Sequence, residues 1–490
     1  MEKPKELFSS RWTLIIAALG MAIGTGNIWR FPRVIAQNGG GAFLITWILF
    51  LFLWSIPLLM AEFAIGRKTR TGPVGAIGQF IGKKYTWMGG FIAFVTIAIM
   101  FYYSVVAGWC INYVVEISTG GLDTINNGQE YWDDFSTNSY KTLFYHFISL
   151  SIGAFIIARG ITGGVEKATK FLIPSLFVLL VIGLVRGLTL PGAFAGMQFI
   201  FELKPALLLD YKIWLNGLTQ SAWSTGAGWG LLMTYAVYMR EKEDIVVNSF
   251  ISGLGNNSAS LLAAMAIIPA VFALAPALGY DPEAVASNSG PASTGMAFIY
   301  IPELFRGMPG ATFFLIVFFM ALSIAAISSL IAMIELAARS LMDLGWTRKK
   351  SVIFIWIGAF IMGAPSAINL NFFQNQDWVW GVGLIISGFM VGFTVIKYGV
   401  SRFRTELINA EGSDRKVGVW YEYVMKYGIP IQATLLLGWW IYNADSDFWN
   451  PLATFSFGTC LVQWALVITI FVIFNNKIFD KIKDVKGARA

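Results

Sequence analysis

The chain has 490 residues, of which 56% are hydrophobic and only 13% charged, and its mean hydropathy is +0.65. A soluble protein of this length needs more charge to cover its surface, so the composition excludes one and indicates an all-helical integral membrane protein. The net charge of +7 does not indicate nucleic acid as a partner, because the basic residues sit in alternate short loops, as membrane topology requires.

Apolar runs recur along the chain, each long enough to cross a hydrocarbon core of about 30 Å. No hydrogen-bond partner exists there for an open backbone, so each run is expected to be a helix. Twelve spans are expected, near residues 11–36, 41–67, 86–117, 141–158, 165–188, 212–239, 244–275, 309–342, 350–365, 376–398, 419–443 and 450–475. Lys3, Lys5 and Arg11, the basic loop from Arg67 to Lys84, the triplet Arg348, Lys349 and Lys350, and the tail lysines 477 to 486 all fall on one side. The positive-inside rule places that side, with both termini, in the cytoplasm. Residues 1–10 are polar, so the first span is expected to serve as an uncleaved insertion signal. Among the outer loops, 118–141 is polar and acidic. Residues 276–308, rich in Gly, Pro, Ser and Ala yet apolar, form either a lid over an outer vestibule or a plain connection. The whole chain, 1–490, is expected to be one membrane domain.

The single histidine, His146, rules out a histidine metal cluster or a Ser-His-Asp triad, and is expected at a helix end in the fourth span. Cys110 and Cys460 lie in apolar runs and are expected as buried thiols. Neither an enzyme nor a nucleotide-driven pump is expected, since no nucleophile–base constellation and no nucleotide-binding motif is present.

Two spans carry an unusual feature. The first contains Gly20, Gly24 and Gly26 within seven residues, and the sixth contains Gly226, Gly228 and Gly230 beside Ser224 and Thr225. Either stretch alone is compatible with close helix packing. Together they lie five spans apart, which suits inverted repeats over about 11–188 and 212–398, with the peripheral helices at 419–475 left outside. A broken helix exposes N–H groups for an anion and C=O groups for a cation, and irregular backbone at that depth survives only where it is buried or lines a cavity.

The run Gly24-Thr-Gly-Asn-Ile-Trp-Arg-Phe-Pro32, then Asn38-Gly-Gly-Gly-Ala-Phe43, resembles the signature of the neurotransmitter:sodium symporter family. Similarity extends to Glu62-Phe-Ala-Ile-Gly-Arg67, Tyr102-Tyr103 and Tyr235-Ala-Val-Tyr238, across essentially all twelve spans. The resemblance implies twelve helices in a 5+5 inverted repeat with helices 1 and 6 broken, and symport of an amino acid with two sodium ions. It implies one sodium site from the Ala22 carbonyl, the Asn27 side chain, Ser224, Asn256 and the substrate carboxylate. The second would use the carbonyls of Gly20, Ile23 and Ala325 with the hydroxyls of Ser328 and Ser329. All are neutral oxygens, which suit a hard monovalent cation. On the residues alone, the Ser328–Ser329 pair is equally suited to helix–helix hydrogen bonding.

By the same resemblance the substrate pocket is lined by Ala22, Thr25, Gly26, Ile99, Tyr103, Trp223, Ser224, Gly226, Trp229, Ser329 and Met333. Ser-x-Gly-x-x-Trp at 224–229 is similar to the glycine transporters, and the Trp229 indole removes the volume a branched side chain needs. A small neutral amino acid, glycine or alanine, is therefore expected. A larger hydrophobic or aromatic substrate, with Trp229 swung aside, is the alternative, and a non-transporting sensor of the same fold is the alternative of another class.

Gln220, Ser224, Asn256 and Ser260 resemble the chloride ligands of chloride-dependent members, with Trp47 where that site has a tyrosine. Chloride is thus a possible third ion. Arg30 and Asp377 match the outer gate pair, above Tyr103 and Trp223. Lys5 and Asp343 match the inner pair, with Tyr238 and Phe8 nearby, although Lys5 is also an ordinary positive-inside residue. Gly164 and Pro174 in the fifth span resemble a helix-unwinding motif, or form an ordinary kink. No role in transport is assigned to the intramembrane acids Glu62 and Glu335. The cell (inner) membrane of a prokaryote is the expected location, with membrane lipid as surroundings and the oligomeric state open.

Overall fold

The computed structural model describes residues 6–121, 127–410 and 413–487. Helices α1 (Arg11–Ala22) and α2 (Thr25–Gln37) form one span bent by 67°. Ser10 starts α1 with a reciprocal cap, its side chain accepting from the Thr13 N–H while the Thr13 hydroxyl accepts from Ser10 N. Then come α3 (Gly41–Thr69), α4 (Lys83–Ser118), α5 (Ser139–Ala158) and α6 (Ile161–Leu188). The sixth span is split into α7 (Tyr211–Ser224) and the short α8 (Leu231–Ala236). They are followed by α9 (Ile245–Leu278), α10 (Ala311–Asp343), α11 (Arg348–Ile368) and α12 (Leu370–Tyr398). The chain closes with α13 (Ile429–Tyr442) and α14 (Phe457–Gly487).

Among the described residues nine helices are long and apolar enough to cross a membrane, and the bent α1–α2 pair makes a tenth. The stretch 211–236 falls short because its break leaves two short halves, and the helical stretch from Trp420 to Tyr442, with its polar and aromatic residues, is not apolar enough. Three boundaries differ clearly from the sequence expectation, one of them the end of α14 at Gly487 rather than 475. Helix α12 starts at Leu370 rather than 376, because the Asn369 side chain accepts from the Phe372 N–H and caps it there. Helix α14 starts at Phe457 rather than 450. Asn450 and Ser456 spend their polar groups on turns, and the Ser456 hydroxyl accepts from Thr459 N at 3.1 Å.

Helices α4 and α10 are buried over most of their length and form the centre of the bundle, whereas α6, α13 and α14 show apolar side chains outward, toward lipid. Cys110 and Cys460 are buried free thiols. His146 lies inside α5 rather than at its end, fully buried between the Ser104 hydroxyl (3.2 Å) and the Phe360 carbonyl (3.3 Å).

Residues 276–308 fold as a lid. Short helices Pro282–Ser287 and Ile301–Arg306 flank a tip at which Ala292 (φ 50°) and Ser293 (φ 66°) take left-handed backbone. Arg33 donates to the Ser293 carbonyl at 3.3 Å and Gln37 to the Ser287 carbonyl at 2.7 Å, so α2 holds the tip.

Candidate functional site

The two breaks have different local causes. Ile23 ends α1 in extended backbone (φ −81°, ψ 94°), and Gly24 follows, also extended. A Cβ on Gly24 would stand 2.9 Å from the Tyr103 hydroxyl and 3.1 Å from that of Ser329, so only glycine lets α4 and α10 approach here. In the sixth span Gly226, Gly228 and Gly230 all have positive φ (71°, 88° and 76°), which side chains resist. Several of the backbone groups freed there are hydrogen-bonded. Glu62 accepts from Gly228 N (2.7 Å) and Met233 N (3.1 Å), and thereby caps α8. Thr96 donates to the Trp229 carbonyl at 2.6 Å, and Ser387 donates to that of Gly228. Sequence reasoning left Glu62 without a role; its carboxylate holds the second break open.

Between the breaks lies a cavity of about 130 Å³. Ala22, Thr25, Gly26, Ile99, Tyr103, Trp223, Ser224, Gly226, Trp229, Ser329 and Met333 all line it. Residues not anticipated join them: Tyr102, Val106 and Phe373, and the lid residues Ala292 and Ser293. The lid pair was legible only as a loop of small residues, since nothing local says which of them reaches inward. The Tyr103 hydroxyl accepts from Thr25 N at 3.1 Å, and so marks where a half-helix N–H points. Trp223 and Trp229 stand edge to face with ring centroids 6.2 Å apart.

Two groups of oxygens flank this cavity. In the first, the Asn256 side-chain amide stands 3.0 Å from both the Ala22 and the Ser224 carbonyl oxygens, to which its nitrogen donates when the amide satisfies its neighbours. These oxygens suit a hard cation once the amide turns its own oxygen inward. The Asn27 amide adjoins them, 2.7 Å from that of Asn256, and donates to Ser260 Oγ at 2.8 Å. Its oxygen accepts instead from Gly24 N at 2.9 Å. This departs from the expected arrangement: Asn27 turns its nitrogen, not its oxygen, to the group, because the oxygen is needed to cap α2.

In the second group, the Ser329 hydroxyl lies 3.5, 3.1 and 3.4 Å from the carbonyls of Gly20, Met21 and Ile23. Ser328 Oγ lies 3.4 Å from the Ile23 carbonyl and 3.0 Å from that of Ala325. Two hydroxyl protons cannot serve so many lone pairs, and the surplus of neutral oxygen suits a hard cation. Among the described residues no group of three His, Cys, Asp or Glu that could hold a metal occurs.

The residues assigned to chloride are less uniform. The Asn256 amide and the Ser224 hydroxyl share a hydrogen bond of 3.0 Å, next to Ser260. Trp47 packs on Phe31 (centroids 4.3 Å apart) with its indole N–H buried and unpartnered, a free donor. Gln220, however, presents a buried unpartnered oxygen, which suits an anion only with its amide reversed.

The gates differ from expectation. Arg30 and Asp377 both line the cavity, yet no ion pair within 4.0 Å joins them. The Arg30 guanidinium lies over the Trp223 ring, 5.1 Å from its centroid, a cation–π contact. On the other side Lys5 lies outside the described residues. Asp343 pairs with Arg339 at 2.6 Å and accepts from Gly72 N at 2.7 Å. Arg348 joins separate elements by ion pairs with Glu335 at 2.6 Å and Glu6 at 2.8 Å, and Tyr238 donates to Glu335. Sequence reasoning treated Arg348 as a topology signal and Glu335 as unassigned; only folding shows them paired. Phe8 packs edge-on against Tyr235 (5.9 Å) and Tyr238 (6.5 Å). The start of α6 is a wide turn over Ile161–Val165, in which a Cβ on Gly164 would stand 2.0 Å from the Ile156 carbonyl oxygen, and Pro174 lies inside the helix.

Facing broken helices, oxygen groups suited to hard cations and an intervening cavity define an ion-coupled secondary carrier. The model of the sodium:neurotransmitter symporter family matches residues 5–142 and 137–482. The chain belongs to that family: it is a multi-pass, sodium-dependent membrane symporter and not an enzyme. An uncharacterized sodium-dependent transporter of Methanocaldococcus jannaschii is 30% identical over 501 residues, covering 99% of both chains. The sodium- and chloride-dependent taurine transporter of Bos taurus is 25% identical, over 96% of this chain and 83% of that one. The crystal structure of MhsT in complex with L-phenylalanine aligns with a TM-score of 0.77 and 28% identity, covering 88% of this chain and 98% of that one.

Proposed function

We propose that this symporter imports a small neutral amino acid, glycine or alanine in preference to larger ones, with two sodium ions, by alternating access across the inner membrane of a prokaryote. Both termini are cytoplasmic in this reading. The observation that carries the substrate assignment is the fixed position of Trp229. Its carbonyl is held by Thr96 at 2.6 Å, its ring abuts Trp223, and the residue is only 7% exposed. A substrate longer than a methyl group has to displace an indole that is packed on several sides, which costs packing energy.

In this reading the substrate carboxylate takes the Thr25 and Gly26 N–H groups and the Tyr103 hydroxyl. It also completes the sodium group of Ala22, Asn27, Ser224 and Asn256, for which Asn27 must turn its amide over. Gly20, Ile23, Ala325, Ser328 and Ser329 hold the second sodium ion. Two cations against one carboxylate leave a positive charge that is expensive to bury. No acid occurs on α9 at Ser260, so chloride near Trp47, Gln220, Ser224, Asn256 and Ser260 supplies the balance. Arg30 and Asp377 close outside, below the lid. The Glu6–Arg348–Glu335 bridge, with Lys5, Asp343 and Tyr238, closes inside. The two repeats, about 11–188 and 212–398, move against each other around the fixed breaks.

MhsT with L-phenylalanine bound favours a second reading, in which Trp229 swings out and a large hydrophobic amino acid enters. Uptake of labelled amino acids into proteoliposomes under an inward sodium gradient separates the two. Accumulation of glycine or alanine well above phenylalanine is expected. The reverse order overturns the assignment, and sodium-dependent binding without accumulation would indicate a sensor.

A further inference from the structure

A second cavity, about 40 Å³, lies between α6, α9 and α10. Its walls are apolar, and it owes its space to Gly183 and Gly187, one turn apart on α6. A Cβ at Gly183 would meet only the Ala266 methyl, at 3.6 Å, whereas one at Gly187 would stand 2.7 Å from the Ala266 carbonyl oxygen. Ile28, the residue after Asn27 on α2, also lines it. Arg186 stands at the end of the cavity nearest the α6 C-terminus, about 9 Å along the helix from Leu180. Val181, Val185 and Leu188 beside it are 45%, 58% and 44% exposed, so this face of α6 meets lipid.

Arg186 is poorly satisfied by the protein. No carboxylate lies within 4.0 Å of it among the described residues. Its hydrogen bonds to Thr189 Oγ1 and the Pro309 carbonyl are both 3.4 Å long, and its Nε is buried without a partner. The guanidinium lies 5.4 Å from the Phe314 ring centroid, and no anion of the protein offsets its charge among the described residues. An arginine in the last turn does complement the helix dipole. That accounts for a positive charge, but not for the unpaired Nε above a glycine-lined apolar crevice.

We propose that this crevice is a lipid site: one acyl chain of an anionic phospholipid lies along Gly183 and Gly187, with its phosphate on Arg186. Guanidinium and phosphate match as a fork on two oxygens, and this match selects a phosphate-bearing amphiphile over a neutral sterol. The phosphate sits at the α6 C-terminal end and the chain runs toward the level of the first break, as a lipid of that leaflet does. Assignment to the outer leaflet uses the topology proposed above; the site itself does not depend on which amino acid is carried.

The test uses the full chain in nanodiscs of equimolar phosphatidylglycerol and phosphatidylcholine, with retained lipid read by native mass spectrometry and folding checked by sodium-dependent amino-acid binding. The wild type is expected to retain phosphatidylglycerol in preference, and Arg186→Gln to lose about tenfold of that preference. Arg186→Lys should keep part of it, and Gly183→Leu should lower retention of both lipids by filling the crevice. Equal phosphatidylglycerol retention by the wild type and Arg186→Gln overturns the proposal. So does unchanged retention by Gly183→Leu, which decides the matter if Arg186→Gln fails to fold.

Discussion

Asn256 and Ala22 meet side-chain amide to carbonyl oxygen, 3.0 Å apart. With its nitrogen on that side the amide donates to the Ala22 and Ser224 carbonyls, and its oxygen accepts from Ser224 Oγ. A cation bound to the two carbonyls takes the place of that donor, and the amide then turns its oxygen to the ion. Asn256→Ala is therefore expected to raise the sodium concentration for half-maximal amino-acid binding by about tenfold or more, on the scale of one lost charge-assisted contact. Unchanged sodium dependence in equilibrium binding would remove Asn256 from the site.

Trp229→Phe should widen the cavity while preserving the contact between the Trp229 carbonyl and Thr96, which is a backbone interaction. Uptake of alanine should persist, and leucine or phenylalanine, poorly carried before, should become competitive. A competition series against labelled alanine measures the shift. An unaltered order of substrates would mean that Trp229 does not set the size limit.

Arg348 bridges Glu6 and Glu335 across three parts of the chain, and Glu335 is fully buried. Removing one partner of such a pair costs about 3–5 kcal/mol, because the other charge stays buried and unpaired. Arg348→Gln should open the cytoplasmic side, so that a cysteine placed there reacts faster with a thiol reagent, while the pair Arg348→Gln with Glu335→Gln recovers part of the closure. Equal labelling in all three proteins would exclude this bridge as the inner closure.

Replacing chloride by gluconate is expected to lower sodium-driven uptake severalfold, and Ser260→Glu to make uptake indifferent to the anion, since a fixed carboxylate replaces the mobile charge. Full uptake by the wild type in gluconate would mean that the charge is balanced elsewhere.

Much of this molecule follows from sequence, for reasons that act locally. Length and apolarity dictate helices in a bilayer, since no other backbone state is satisfied there. Clustered glycine dictates where the helices break: Gly226, Gly228 and Gly230 all take the backbone region that side chains avoid. The eleven residues expected at the pocket fall around one cavity because they sit at or opposite those breaks. Pairing was different. That Glu62 caps α8, that Arg348 joins Glu335 and Glu6, and that Arg30 rests on Trp223 instead of closing on Asp377 were not legible. Each depends on distances between segments tens to hundreds of residues apart. A charge in a low-dielectric interior takes whichever partner folding brings within reach, and only the tertiary structure decides which that is.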